Sequence, residues 1–122
     1  MSEPKDEDAR AATNEVRLRG RVTSAPAERE LPSGTCVTSF RIVVARAGTT
    51  PMTAGSRQTS DWVDCTAWGG RVRRTCSGWA VGDTVELEGA LRRRFLRGTG
   101  EGAMSTRIEV EVLTGRRVGR AG

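Results

Sequence analysis

The sequence predicts an all-β domain in which five strands carry one short helix between the third and the fourth. Three observations lead there. Five stretches alternate apolar and polar residues with a period of two, the signature of a half-buried strand. One stretch, between the third and fourth of these, repeats its apolar residues at i, i+4 and i+7 as a helix does. The chain has only 122 residues, which accommodates a single domain.

Residues 1–13, MSEPKDEDARAAT, are polar and acidic without periodicity and read as a disordered N-terminal tail. In NEVRLRGRVTS, from Asn14, the apolar Val16, Leu18 and Val22 alternate with Arg17, Arg19 and Arg21. Gly20 falls on the apolar parity, where it lets a long strand bend. APAERELPSG then reads as a turn, punctuated by Pro26, Pro32 and Ser33-Gly34. The second strand, TCVTSFRIVVAR, places Phe40, Ile42 and Val44 on one face and Val37, Ser39, Arg41 and Val43 on the other, so it is a central strand. The fifteen residues from Ala47 to Asp61, rich in Gly, Thr and Ser, form a loop of a length usually functional or disordered inside a compact domain.

In the third strand, DWVDCTAWG, Val63, Cys65 and Ala67 share one parity while Trp62, Asp64, Thr66 and Trp68 share the other. With the small apolar side as core, both indoles stand on an open, polar sheet face; the competing reading makes that face core or a subunit contact. GGRVRRTCSGWAVGD follows, with Val72, Cys76 and Trp79 on one helical stripe and Arg71, Arg73 and Arg74 outward, so Trp79 belongs to the core. Gly82-Asp83 ends it. The fourth strand, TVELEGALRRRFLRG, buries Val85, Leu87 and Leu91, exposes Glu86 and Glu88, and turns basic at Arg92 to Arg94. After a Gly-rich tip, TRIEVEVLTG directs Ile108, Val110 and Val112 inward, and residues 115–122, GRRVGRAG, read as a flexible basic C-terminal tail. The order β-β-β-α-β-β within residues 14–114 is that of an OB-fold, a five-stranded Greek-key barrel.

Composition narrows the function. The chain carries 20 Lys+Arg against 15 Asp+Glu, a net +5, and 19 of the 20 cations are arginine. Four acids precede Arg10, so from residue 10 onward 19 cations face 11 anions, a net +8, and an anionic polymer is the natural partner. With no histidine, imidazole acid–base catalysis and His-containing metal sites are excluded. Cys36, Cys65 and Cys76, scattered and without a CxxC pair, read as small buried hydrophobes in a reducing compartment. No apolar run approaches the ~20 residues of a membrane span, and no signal peptide is apparent. The expectation is a cytoplasmic, non-enzymatic protein without cofactor or metal.

OB-folds bind single strands by stacking bases on aromatic faces and tracking the backbone with cations. The candidate platforms are Trp62, Trp68 and Phe95. The candidate phosphate contacts are Arg92, Arg93, Arg94 and Arg97 beside the hairpin, Arg46 and Arg57 flanking the long loop, and Arg41 on the second strand.

The chain resembles the DNA-binding domain of bacterial single-stranded DNA-binding proteins. The resemblance rests on N-x-V-x-L-x-G-R-V at Asn14 to Val22, the Pro26 turn, S-G-x-x-V-x-x-F-x-I at Ser33 to Ile42, D-W-V-x-C-x-A-W-G at Asp61 to Gly69, and G-D-x-V-x-x-E-G-x-L at Gly82 to Leu91. It implies that Trp62 holds the family's Trp position opening the third strand and Trp68 an aromatic position ending it. Two further Trp positions of the best-studied members fall near Gly48 and at Leu96, with Phe95 adjacent, which implies weaker or shorter-footprint binding. Replicative members end in an acidic tip that recruits partners; this chain ends at GRRVGRAG, so the expectation is an accessory or mobile-element paralogue without that recruitment.

The resemblance also implies a homotetramer, or a dimer, assembled through outer sheet faces that here carry Glu15, Arg17, Arg19, Glu86, Glu88, Glu109 and Glu111. The predicted function is sequence-nonspecific binding and protection of single-stranded DNA in replication, repair or recombination. The competing readings are a primosome-type or RNA-binding accessory protein, and a protein–protein adaptor that uses the Trp face.

Overall fold

The structure, a computed structural model, describes residues 6–97 and 104–122. Its elements are α1 (Asp6–Ala11), β1 (Val16–Glu30), β2 (Cys36–Ala45), β3 (Ser60–Ala67), α2 (Gly70–Ser77), β4 (Thr84–Arg97) and β5 (Met104–Gly119). The strands close into a barrel in the order β1-β2-β3-β5-β4. Neighbours are antiparallel except β3 and β5, which pair in parallel at Cys65↔Val110 and Thr66↔Glu111. This is the OB-fold that the alternation predicts, with its one short helix between β3 and β4.

Each strand sends its inward parity into one core. Val22, Phe40, Ile42, Cys65, Ala67, Val85, Leu87, Val110 and Val112 fill the barrel, and Cys76 and Trp79 close it from the α2 side. Trp79 meets Phe40 edge to face, with ring centroids 5.4 Å apart and planes at 88°. Three glycines are needed for this closure, the tightest being Gly89, where a Cβ would collide with the Glu111 carbonyl. A Cβ at Gly20 would collide with the Val43 carbonyl, and one at Gly115 would lie 2.8 Å from the Trp79 ring. Burial pushes the Cys65 and Cys76 thiols up to about 12, so both behave as small core hydrophobes. Among the described residues no helix is long and apolar enough to cross a membrane.

The structure departs from the sequence reading at the strand ends. β1 does not turn at Pro26 but continues to Glu30, pairing Ala27↔Ser39 through Glu30↔Cys36. Pro26 sits in a register irregularity between Ser24 and Ala27, where the ladder does not need the N–H that proline lacks. The true turn is at Leu31 to Thr35, closed by Leu31 N donating to Thr35 O at 2.8 Å, with Gly34 at φ 89°. Residues 6–11, inside the segment read as a tail, are helical. β5 likewise runs on to Gly119, its last residues paired with β4 at Leu87↔Gly115, Glu86↔Arg116 and Val85↔Arg117.

Leu91 and Ile108 are exposed rather than buried. Both keep the inward parity, in the pairs Leu91↔Val110 and Arg93↔Ile108, but β1 pairs with β4 only as far as Gly89, so from Leu91 on the β4–β5 hairpin outruns the barrel wall. Leu113 is also exposed: Glu88 and Gly89 pair with Thr114 and Val112, leaving it as the extra residue of a β-bulge.

Candidate nucleic-acid interface

β3 is held in register by Cys65 and Ala67, which sit in the core. The opposite parity, Trp62, Asp64, Thr66 and Trp68, is thereby fixed on the outer face, because a one-residue slip would carry the indoles inward. Trp62 is 62% exposed and Trp68, one residue past the strand, is half-buried. Six residues of extended chain separate them by about 20 Å.

Each indole carries a guanidinium, and each guanidinium has a carboxylate. Arg41 of β2 lies opposite Asp64. Its guanidinium carbon is 4.0 Å from the Trp62 ring centroid, and its Nε donates to Asp64 Oδ1 at 3.0 Å. Arg94 of β4 stands 5.2 Å over the Trp68 ring and pairs with Glu109 at 3.6 Å. Cation–π contacts of this kind are worth ~0.5–1 kcal/mol at exposed sites and more when desolvated.

Trp68 is also tethered through its ring edge. Its Nε1–H donates to Thr66 Oγ1 at 3.1 Å, and the Thr66 hydroxyl donates to Glu109 Oε2 at 2.6 Å. The alternation of β5 places Glu109 with Glu111 on an open outer face. The structure keeps that parity but covers the side chain, which is 2% exposed beneath Thr66, Arg94 and Arg107. Glu109 Oε1 lies 3.6 Å from both Arg94 Nη1 and Arg107 Nε. Thr66, Glu109 and Arg107 escape the sequence reading as a group because only the parallel pairing of β3 with β5 brings Thr66 to the Arg107–Glu109 pair.

The remaining candidates are distributed around this face. Arg46 is bidentate with Asp61 at 2.9 and 2.8 Å, and its backbone N–H donates to Thr59 O at 2.8 Å, so the pair closes the base of the long loop. The Arg46 guanidinium, hydrogen-bonded to Asp61, holds that carboxyl below its ordinary range. Arg92 pairs with Glu111 at 3.0 Å and Arg93 donates to Thr106 Oγ1 at 3.0 Å. Arg57 is exposed on the loop. The Arg97 side chain lies outside the described residues. Phe95 is exposed, but its pairing with Thr106 gives it the parity of Leu91 and Ile108, on the other face of the hairpin from Arg92 and Arg94. The structure therefore unites Trp62 with Arg41 and Trp68 with Arg94, and leaves Phe95, Arg93 and Arg57 at the flanks.

Away from this face, Arg17 pairs with Glu88 at 3.0 Å and Arg19 with Glu86 at 3.5 Å across the β1–β4 ladder. These pairs are exposed, worth ~0–1 kcal/mol each. A surface cleft lined by Arg17, Glu86, Glu88 and Arg116 lies here and not at the indoles. Stacking needs a plate and not a pocket.

Comparison of the sequence with curated proteins returns no match. Residues 13–115 match the model of the single-strand binding protein family, whose members are binding proteins for single-stranded DNA that typically oligomerise. The matched span covers the barrel from before β1 into β5 and contains both tryptophans of the outer face. On the family match, and with an OB-fold whose third strand and the residue after it set two indoles on the outer face, the chain belongs to the single-strand binding protein family.

Proposed function

We propose that this protein binds single-stranded DNA without sequence specificity and shields it during replication, repair or recombination. Bases stack on Trp62 and Trp68, and neighbouring arginines hold the phosphates. The observation that carries this reading is the pair of indoles on the outer face at the start and just past the end of β3, each with a guanidinium at its ring. Every base has a π-face, so stacking worth ~1–3 kcal/mol per base needs no sequence readout.

Arg41, Arg92 and Arg94 supply phosphate contacts on the Trp face, Arg46, Arg57, Arg93 and Arg97 supply them from the loop and hairpin, and Phe95 adds a stacking surface at the flank. Arg41, Arg92 and Arg94 each already hold a carboxylate. Binding therefore exchanges an internal counterion for a phosphate, and the salt dependence is shallower than the arginine count suggests. With Gly48 and Leu96 in place of two aromatic positions, the footprint is short. The assembly is a homotetramer built through outer sheet faces whose charges, such as Arg17 and Glu88, already pair within each chain, and the protein acts in the cytoplasm as a binder and not a catalyst.

The test is fluorescence anisotropy of labelled oligo-dT with the parent, Trp62→Ala and Trp68→Ala proteins, together with native mass. Each variant is expected to lose about tenfold in affinity, consistent with one lost stack. A protein–protein adaptor would bind no oligonucleotide, or would bind it equally well without Trp62. Tighter binding of oligo-U than oligo-dT would favour an RNA role.

A further inference from the structure

We infer that Thr66 and Glu109 are positioning residues for the Trp68 platform: the chain from the buried carboxylate through the hydroxyl to the indole N–H sets the ring plane on which a base stacks. The inference rests on the stacking role proposed above for Trp68.

Trp68 follows the last residue of β3, so the ladder sets its side of the sheet but not its ring plane. The indole N–H is its one polar handle. The direction of the chain is forced. The indole N–H can only donate, so Thr66 Oγ1 accepts from Trp68 at 3.1 Å and its own hydroxyl proton goes to Glu109 at 2.6 Å. Glu109 acts on the ring from a second direction as well. Its other oxygen pairs with Arg94, the same arginine that stands over the indole. One buried carboxylate thus holds the edge of Trp68 through Thr66 and sets a counter-charge 3.6 Å from the cation on its face, without a hydrogen bond to it. Among the described residues Trp62 has no such hydrogen-bonded tether, and it is the more exposed ring. Fixing a side chain before the ligand arrives lowers the ordering cost on binding, which is what a preorganised platform contributes to affinity.

The experiment is a double-mutant cycle between Thr66 and Trp68, read as oligo-dT affinity by anisotropy. Thr66→Val removes the hydroxyl and keeps the shape, and is expected to weaken binding about fivefold in the parent but less than about twofold in Trp68→Ala. Thr66→Ser, which restores the hydroxyl, returns binding to the parent value. Equal losses from Thr66→Val in both backgrounds would mean a general structural effect and overturn the inference. It is equally overturned if Trp68→Ala weakens binding and Thr66→Val does not. A Trp68→Ala protein that binds as tightly as the parent removes the stacking reading itself, and the inference with it. If Thr66→Val does not fold by circular dichroism, Thr66→Ala is read in the same two backgrounds against the same outcomes.

Discussion

Arg41 holds two partners at once: its guanidinium carbon lies 4.0 Å from the Trp62 ring centroid while its Nε donates to Asp64 at 3.0 Å. The arrangement follows from register, because β2 sets Arg41 opposite Asp64 and Val43 opposite Trp62. Asp64 is thus an internal counterion on the proposed binding face.

Asp64→Asn removes that counterion and leaves Arg41 free for phosphate. Oligo-dT affinity at low salt is expected to rise about threefold, and the slope of log affinity against log salt to steepen by ~0.7 for one added contact. Anisotropy titrations across a salt series measure both. An unchanged slope would place Arg41 outside the phosphate contacts.

Asn14 serves the fold instead. Its Nδ2 donates to Leu91 O at 2.8 Å and its Oδ1 accepts from Leu91 N at 2.9 Å, so the side-chain amide continues the β1–β4 ladder just past Val16↔Gly89. Asn14→Ala is expected to lower stability by about 1 kcal/mol while leaving oligo-dT affinity unchanged. Thermal melting at fixed protein concentration, paired with one titration, checks it.

Acid should unfasten the barrel at Asp83. Its carboxylate accepts from Ala80 N and Ala121 N at 2.9 Å each and lies 3.4 Å from Arg117, and these bonds hold its pKa below the ordinary value. Glu86 is lowered in the same direction by Arg116. A carboxyl depressed in the folded state contributes stability above its unfolded pKa of ~3.9, and that contribution is lost as pH falls through the folded value. The melting temperature is therefore expected to hold above about pH 5 and to drop below about pH 4. Asp83→Asn should melt lower at neutral pH and fall less steeply in acid.

The cysteines differ in reach. Cys65 and Cys76 are buried, with thiols pushed up to about 12, whereas Cys36 is half-buried. Alkylation near neutral pH, read by intact mass, should modify Cys36 alone in the folded protein and all three in denaturant.

The strands were legible because inward parity is a local property: Val16 to Val22 and Phe40 to Val44 show it without reference to the rest of the chain. Where a strand outruns the barrel is not local. Leu91 and Ile108 keep the inward parity yet meet solvent, and Arg116 and Arg117, with no alternation around them, are held by β4 and Asp83. Pro26 has the composition of a turn but occupies a strand irregularity. In the site, Trp62 and Trp68 could be read because they oppose Cys65 and Ala67 on one strand. Thr66 and Glu109 are 43 residues apart and meet only through pairing of non-consecutive strands, which leaves no local trace. Proximity to the arginine run suggests Phe95 as a third platform, and its pairing with Thr106 sets it on the hairpin's other face.

The most direct test of the account is a titration of intrinsic tryptophan fluorescence with oligo-dT at two salt concentrations. Trp79 is packed on Phe40 in the core, so a change on binding reports Trp62 and Trp68. Marked quenching that saturates, with affinity falling as salt rises and most of the quenching lost in Trp62→Ala/Trp68→Ala, is the predicted result. Saturating oligo-dT that produced neither quenching nor a mobility shift would contradict the claim that this face stacks single-stranded DNA.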